Sequence, residues 1–229
     1  MAVRQVWNSI LRSFNASLIA GNAAGSRLER LEEFWRRVEH GPMQQLLGAW
    51  PGLGPVAASA WTVSAGIPAF FRPNPLAFLG AHMPLGADSA GYYDTSPLRA
   101  TLSDLVDFDR INRQETRLTV GAANVGTSEM RYFDSRDMKL DVRHVMASGA
   151  LPPAFPAVRI DGELYWDGGI LSNTPVEAVF DDNPRRSSVV FAVHIWSPSG
   201  AEPETIQQVM NRQKDIQYAS RADSHIARQ

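Results

Sequence analysis

The run that most limits what this chain can fold into is YWDGGILSNTPVEAVF, Tyr165 to Phe180. An aromatic, strand-like start leads into Asp167-Gly168-Gly169, and Thr174-Pro175-Val176-Glu177 then has the form of a capping box with proline at the first helical position. Paired glycines allow close backbone approach and positive φ. The sequence therefore predicts a strand, a tight loop and a helix in succession. Asp167 falls on that loop, a usual place for a working residue in an open α/β sheet. Taken alone, Asp-Gly-Gly is explained as well by turn chemistry.

The flanking segments have the same mixed character. AVRIDGELYWDGG reads as two short strands around Asp161-Gly162, a favoured type I′ pair. Thr116 to Val125 and Ser187 to Ser197 read as buried strands. DVRHVMASGA carries Val142, Val145 and Met146 at helical spacing, ended by Gly149 and Pro152-Pro153. SRLERLEEFWRRVEH places Leu28, Leu31, Phe34, Trp35 and Val38 on one helical face, with Glu32–Arg36 and Glu33–Arg37 as i,i+4 pairs. Gly41-Pro42 stops that helix.

Residues 41–100 hold over half of the chain's prolines together with Trp50, Trp61, Phe70, Phe71 and Phe78. They read as an irregular insertion of short helices and loops whose aromatics pack onto the main core, or form a lid or lipid-facing surface. The tail from Pro203 is helical, with Ile206, Val209, Met210 and Ile216 on one side, and reaches Gln229 without a stop signal.

The 229 residues suit one large domain with an appended segment. A net charge of −2 makes nucleic acid a poor partner, and the lack of cysteine excludes disulfides and thiol catalysis. No signal peptide is read. The nearest approach to a transmembrane span, Pro55 to Phe71, is short and interrupted by Ser, Thr, Gly and Pro68. These features point to a cytoplasmic or peripheral-membrane location. His144 and His194 have no partner at metal-ligand spacing and read as core or surface histidines. Asp181-Asp182 and Arg185-Arg186 read as a solvated loop. Neither a metal nor another cofactor is called for.

MASGALPPAFPAVRIDGELYWDGGILSNTPVEAV resembles the C-terminal half of the patatin-like phospholipase domain, and LTVGAANVGTSEMRYFD and SFNASLIAGN are similar to it in the right order. YYDTSPLRATLSDLVDFDRIN and NRQKDIQYASRADSHIARQ resemble the bacterial subgroup with a helical C-terminal extension. The resemblance covers Ser13 to Gln229. It implies an α/β fold with a mostly parallel sheet flanked by helices. It also implies a lipid acyl hydrolase working through a Ser–Asp dyad on phospholipids or other acyl esters, with possible peripheral membrane contact. In that family a serine in a Gly-x-Ser-x-Gly elbow attacks the ester and the aspartate of Asp-Gly-Gly serves as base; Asp167, followed by Gly168 and Gly169, matches that aspartate.

The nucleophile itself does not match. Aligned leftward from Phe14, the elbow falls on NSILR, with Asn8 and Arg12 at the glycine positions and Ile10 at the serine. Ser9 is one residue out of register, and no Gly-x-Ser-x-Gly occurs in the chain. Ser89 in ADSAG and Ser64 in TVSAG lack the strand before and helix after that an elbow needs. The expected organisation is an unmatched segment at 1–12, a patatin-like domain at 13–200 lacking its first strand and elbow, and the start of a helical extension at 201–229. The abrupt change at Ser13 favours a truncated hydrolase, inactive as written and left with an uncovered sheet edge that makes it poorly stable. The alternatives are a non-catalytic pseudoenzyme or a lipid-binding or interaction module.

Overall fold

The computed structural model describes residues 12–39, 42–49, 51–52, 54–172, 178 and 197–227. They divide into two compact units, Met1–Gly168 and Gly169–Gln229. The predicted capping box at 174–177, the predicted charged loop at 181–186, His194, most of the predicted strand at 187–197, Trp50 and the elbow positions 8–11 lie outside the described residues.

Among the described residues of the first unit, 12–20 are helical (α1), followed by α2 (Arg27–Val38), α3 (Pro42–Gly48) and α4 (Gly54–Ala65). Two short antiparallel strands, β1 (Arg72–Pro73) and β2 (Tyr93–Asp94), bracket a 3₁₀ turn at Pro75–Leu79. Helices α5 (Ser96–Leu105) and α6 (Phe108–Asn112) precede β3 (Thr119–Asn124) and β4 (Met130–Asp134). Then come α7 (Val142–Ala147), β5 (Val158–Ile160) and β6 (Glu163–Asp167). The class is α/β, as expected. The four-stranded sheet runs β4-β3-β6-β5, and each pairing among these strands is antiparallel. The mostly parallel pairing expected from the sequence is not found among the described strands. A short reversal joins β3 to β4 and a two-residue turn joins β5 to β6, and parallel neighbours need a crossover of a dozen residues or more.

The β5–β6 turn behaves as its sequence predicts. Asp161 and Gly162 have φ of 50° and 90°, the two positive values a type I′ turn requires. The helix expected over DVRHVMASGA is α7, which buries His144, Val145, Met146 and Ala147. Its start is a capping box: the Asp141 carboxylate accepts from Arg143 N–H, and His144 Nδ1 accepts from Asp141 N–H at 3.0 Å.

The core is built on α1. Phe14 is fully buried and meets Phe34 and Phe70 edge-on, with ring centroids 6.2 and 5.7 Å apart. In α2 the buried stripe is narrower than the predicted face: Phe34 and Val38 are inside, whereas Leu28 is 68% exposed and Trp35 is also exposed. Trp35 instead donates through Nε1 to Asn15 Oδ1. The ion pairs also rearrange. Glu33 takes both Arg36 and Arg37, and Arg37 reaches Asp104 on α5 at 2.7 Å.

The insertion divides between the two fates expected of it. Phe70 and Phe71 enter the core, while Trp61 remains exposed. A ring cluster of Phe71, Tyr93 and Phe155 ties the insertion to the segment before β5, and Tyr92 and Tyr93 donate backbone N–H groups to Pro153 O and Ala154 O.

In the second unit α8 (Ile206–Ala227) is preceded by a local cap. Gln208 Oε1 accepts from Glu204 and Thr205 N–H, and Arg212 donates to Ser197 O and Pro198 O. The predicted apolar side of this helix, Ile206, Val209, Met210 and Ile216, is exposed; Asn211 and Ala219, on the opposite side at helical spacing, are buried.

Candidate active site

Asp167 is the last residue of β6 and is 2% exposed. Strand alternation puts it on the same sheet face as Tyr165 and Glu163. The register brings Ala122 opposite Asp167 and Asn124 opposite Tyr165 on β3, with Arg131 and Phe133 of β4 on that face as well. Helix α7 packs against β3, β5 and β6, with the His144 ring 4.9 Å from Phe133. The face carrying Asp167 is therefore the covered one.

Three features hold Asp167 in place. Its N–H donates to Ala150 O at 2.9 Å, which ties β6 to the segment after α7. The next residue, Gly168, lies so close to β3 that a Cβ there would meet Gly121 O at 2.5 Å and Gly121 C at 2.8 Å. Close approach of two backbones, rather than positive φ, explains this glycine. The third feature is electrostatic: Arg12, at the start of α1, is near enough for the Asp167 charge to act on its guanidinium. Burial pulls the Arg12 pKa below the ordinary arginine value, and the Asp167 charge opposes that shift without cancelling it.

The other serines are differently placed. Ser89 lies in an exposed turn, and Ser64 is in α4 with Oγ donating to Ala60 O and Trp61 O. His144 is a core residue, 3% exposed. Among the described residues no group of three or more His, Asp or Glu side chains is disposed to hold a metal ion.

A cavity of about 410 Å³ opens on the same sheet face, lined by Glu163, Tyr165, Asn124, Arg131 and Phe133 among others, but not by Asp167. At its wall Tyr165 Oη and Asn124 Nδ2 both donate to Glu163 Oε2, at 2.7 and 3.1 Å. Sequence reasoning missed this trio, since strand alternation and register together bring it into contact. The Arg12–Asp167 proximity was also missed. Its only signal was that Arg12 aligned within the region where an elbow was sought.

A buried carboxylate at a strand end is a group that can accept a proton from a hydroxyl brought within hydrogen-bond reach. The sequence model of the patatin-like phospholipases matches residues 13–180. No curated protein matches the chain. Among the described residues no helix is long and apolar enough to cross a membrane.

Proposed function

We propose, from the premise that this chain belongs to the patatin-like phospholipase family, that Asp167 is the general base of a Ser–Asp lipid acyl hydrolase site and that these 229 residues do not themselves turn over esters. The family is one of lipid hydrolases, and lipid acyl esters are its substrate class. The residues from 13 to 200 form the hydrolase domain on this reading, and 201–229 form a helical segment after it.

The observation that carries the reading is the burial of Asp167 at the end of β6, within the residues 13–180 that match the family. The Asp167 charge acts on the Arg12 guanidinium in α1, which supports a carboxylate near the helix that follows the elbow in the family. In a Ser–Asp dyad the carboxylate takes the hydroxyl proton as oxygen attacks the ester carbonyl, and backbone N–H groups stabilise the oxyanion. Arg12, on which the Asp167 charge acts, offers only N–H donors and no oxygen nucleophile. No Gly-x-Ser-x-Gly occurs in the sequence, so the family's nucleophile motif is not matched in these residues. The same observation favours a second reading, a non-catalytic lipid-binding module that keeps the pocket without the chemistry.

Hydrolysis of a p-nitrophenyl short-chain ester tests the proposal. The purified chain is expected to match the buffer blank, with or without Asp167→Ala. Turnover that disappears in Asp167→Ala would keep the base and overturn the inactivity. In a version with Gly-x-Ser-x-Gly placed ahead of Phe14, Asp167→Ala should lower turnover by roughly 10³-fold, by analogy with other nucleophile–base pairs. A loss of tenfold or less there would refute the role of Asp167.

A further inference from the structure

We infer that the α3–α4 hairpin docks on the surface of a zwitterionic phospholipid bilayer, with Leu46, Val56, Trp61 and Val63 entering the boundary between headgroups and acyl chains. The inference rests on the lipid-hydrolase reading and names where the substrate-bearing surface is met.

Charged residues make up 20% of the chain, yet none occurs from Gly41 to Phe71. A helix facing water sets charged side chains on its outer side. Helix α4, GPVAASAWTVSA, has none, and exposes Val56 (67%), Trp61 and Val63; α3 adds Leu46 at 69%. The hydroxyls of α4 do not make up the deficit. Of the three, Ser59 is half-buried, Thr62 is buried and donates to Ala58 O, and Ser64 donates to Ala60 O and Trp61 O, so the last two turn back onto their own helix. The outer face is thus apolar and poor in groups that need water.

The lack of charge also indicates which partner fits. A face that docks another protein keeps a polar rim around its apolar centre, and this hairpin has no charged rim. The complement of such a surface is a low-dielectric one. Attraction to anionic lipid needs lysine or arginine, and the absence of both from this stretch favours a zwitterionic bilayer. Tryptophan suits headgroup depth because its ring is apolar and its N–H polar. With 7 and 12 residues, the helices are too short to span a hydrocarbon core, which takes about 20. They lie on the surface.

The hairpin is also tied to the candidate site. Tyr93 Oη donates to Val63 O at 3.0 Å, and Tyr93 N–H donates to Ala154 O. Four residues before Ala154, Ala150 O holds the N–H of Asp167.

The test is flotation of the full chain with phosphatidylcholine vesicles, with and without phosphatidylserine, at low and high salt. The wild type is expected to float with phosphatidylcholine alone, equally at both salt concentrations. Val56→Asp, and Val56→Asp with Trp61→Asp, should each lower the partition coefficient tenfold or more while near-UV circular dichroism stays native. Ile206→Asp, at a site 81% exposed outside the hairpin, should float like the wild type. No flotation with phosphatidylcholine, flotation only with phosphatidylserine and lost at high salt, or unchanged flotation of the hairpin variants would overturn the inference. So would a wild-type dimer that Val56→Asp makes monomeric, since the occupant would then be a second copy. Asp167→Asn should float normally, so failure of the base and failure of the docking surface are read separately.

Discussion

Replacing Gly168 by alanine tests the packing that holds Asp167. The added Cβ would sit 2.5 Å from Gly121 O, 2.8 Å from Gly121 C and 3.2 Å from Ala122 N. An ordinary carbon–oxygen contact is about 3.3 Å or more, so the two backbones must separate by roughly 0.8 Å. All three obstructing atoms belong to β3, and no side chain can rotate away. The separation falls where Ala122 pairs with Asp167, the end of the β3–β6 ladder. Overpacking of this kind costs about 1–3 kcal/mol, and weakening one ladder hydrogen bond adds about 1 kcal/mol. The smaller entropy of unfolded alanine returns about 0.4–1 kcal/mol. The net destabilisation is about 2 kcal/mol, which for a chain of this size lowers Tm by about 4–8 °C. Circular dichroism melting measures it. Hydrogen exchange at the Asp167 N–H should speed up in the same variant, because its bond to Ala150 O depends on the strand end staying in register. Gly126→Ala is the control, since its nearest neighbour would be Asn124 Oδ1 at an ordinary 3.5 Å. A Gly168→Ala protein melting within about 1 °C of wild type, or no lower than Gly126→Ala, would refute the reasoning.

Two further predictions concern charge. Asp134 accepts from Arg117 Nε and Nη2, Thr119 Oγ1 and Arg136 N–H; burial alone would raise its pKa, but these hydrogen bonds outweigh it and hold the pKa below the usual carboxylate value. A lowered folded-state pKa means that the contribution is complete above the unfolded value of about 4 and is lost as pH falls through the folded one. Asp134→Asn should therefore cost about 1.5–3 kcal/mol at pH 7, with the gap to wild type narrowing in urea melts at progressively lower pH; a gap constant from pH 7 to pH 3 would exclude it. Arg12→Leu and Asp167→Asn should be coupled by about 0.5 kcal/mol or more in a double-mutant cycle of stability, and strict additivity would show that the two charges do not interact.

What could be read from the sequence follows the range of the forces involved. The Asp161-Gly162 turn was legible because positive φ is set by the residues themselves, and the turn then fixes the β5–β6 register. The sequence put Asp167 on the loop after a strand, and the fold makes it the last residue of that strand; its resemblance to the family's aspartate rests on neighbours within the same run. Helix α7 was visible in its apolar spacing, although its cap, in which the His144 ring accepts the Asp141 N–H, has no sequence signature as clear as Ser-x-x-Glu.

Tertiary structure decided the rest, because the energies involved depend on what lies across space. Glu33 is equally spaced for its predicted partner Arg37 and close to Arg36, and it takes both; rotamers and the nearby Asp104 of α5 settle that choice. The 3.6-residue period of α2 marks an apolar side, but only the neighbouring helices determine that Phe34 is covered and Leu28 is not. In the same way Phe71 joins the core while Trp61 of the same insertion stays exposed. Strand direction is invisible in a single strand's alternation and emerges from its neighbours. By itself the sequence determined the local turn and the run that holds Asp167; the fold let the Asp167 charge act on the Arg12 guanidinium, since Coulomb's law acts through distance in space and not along the chain.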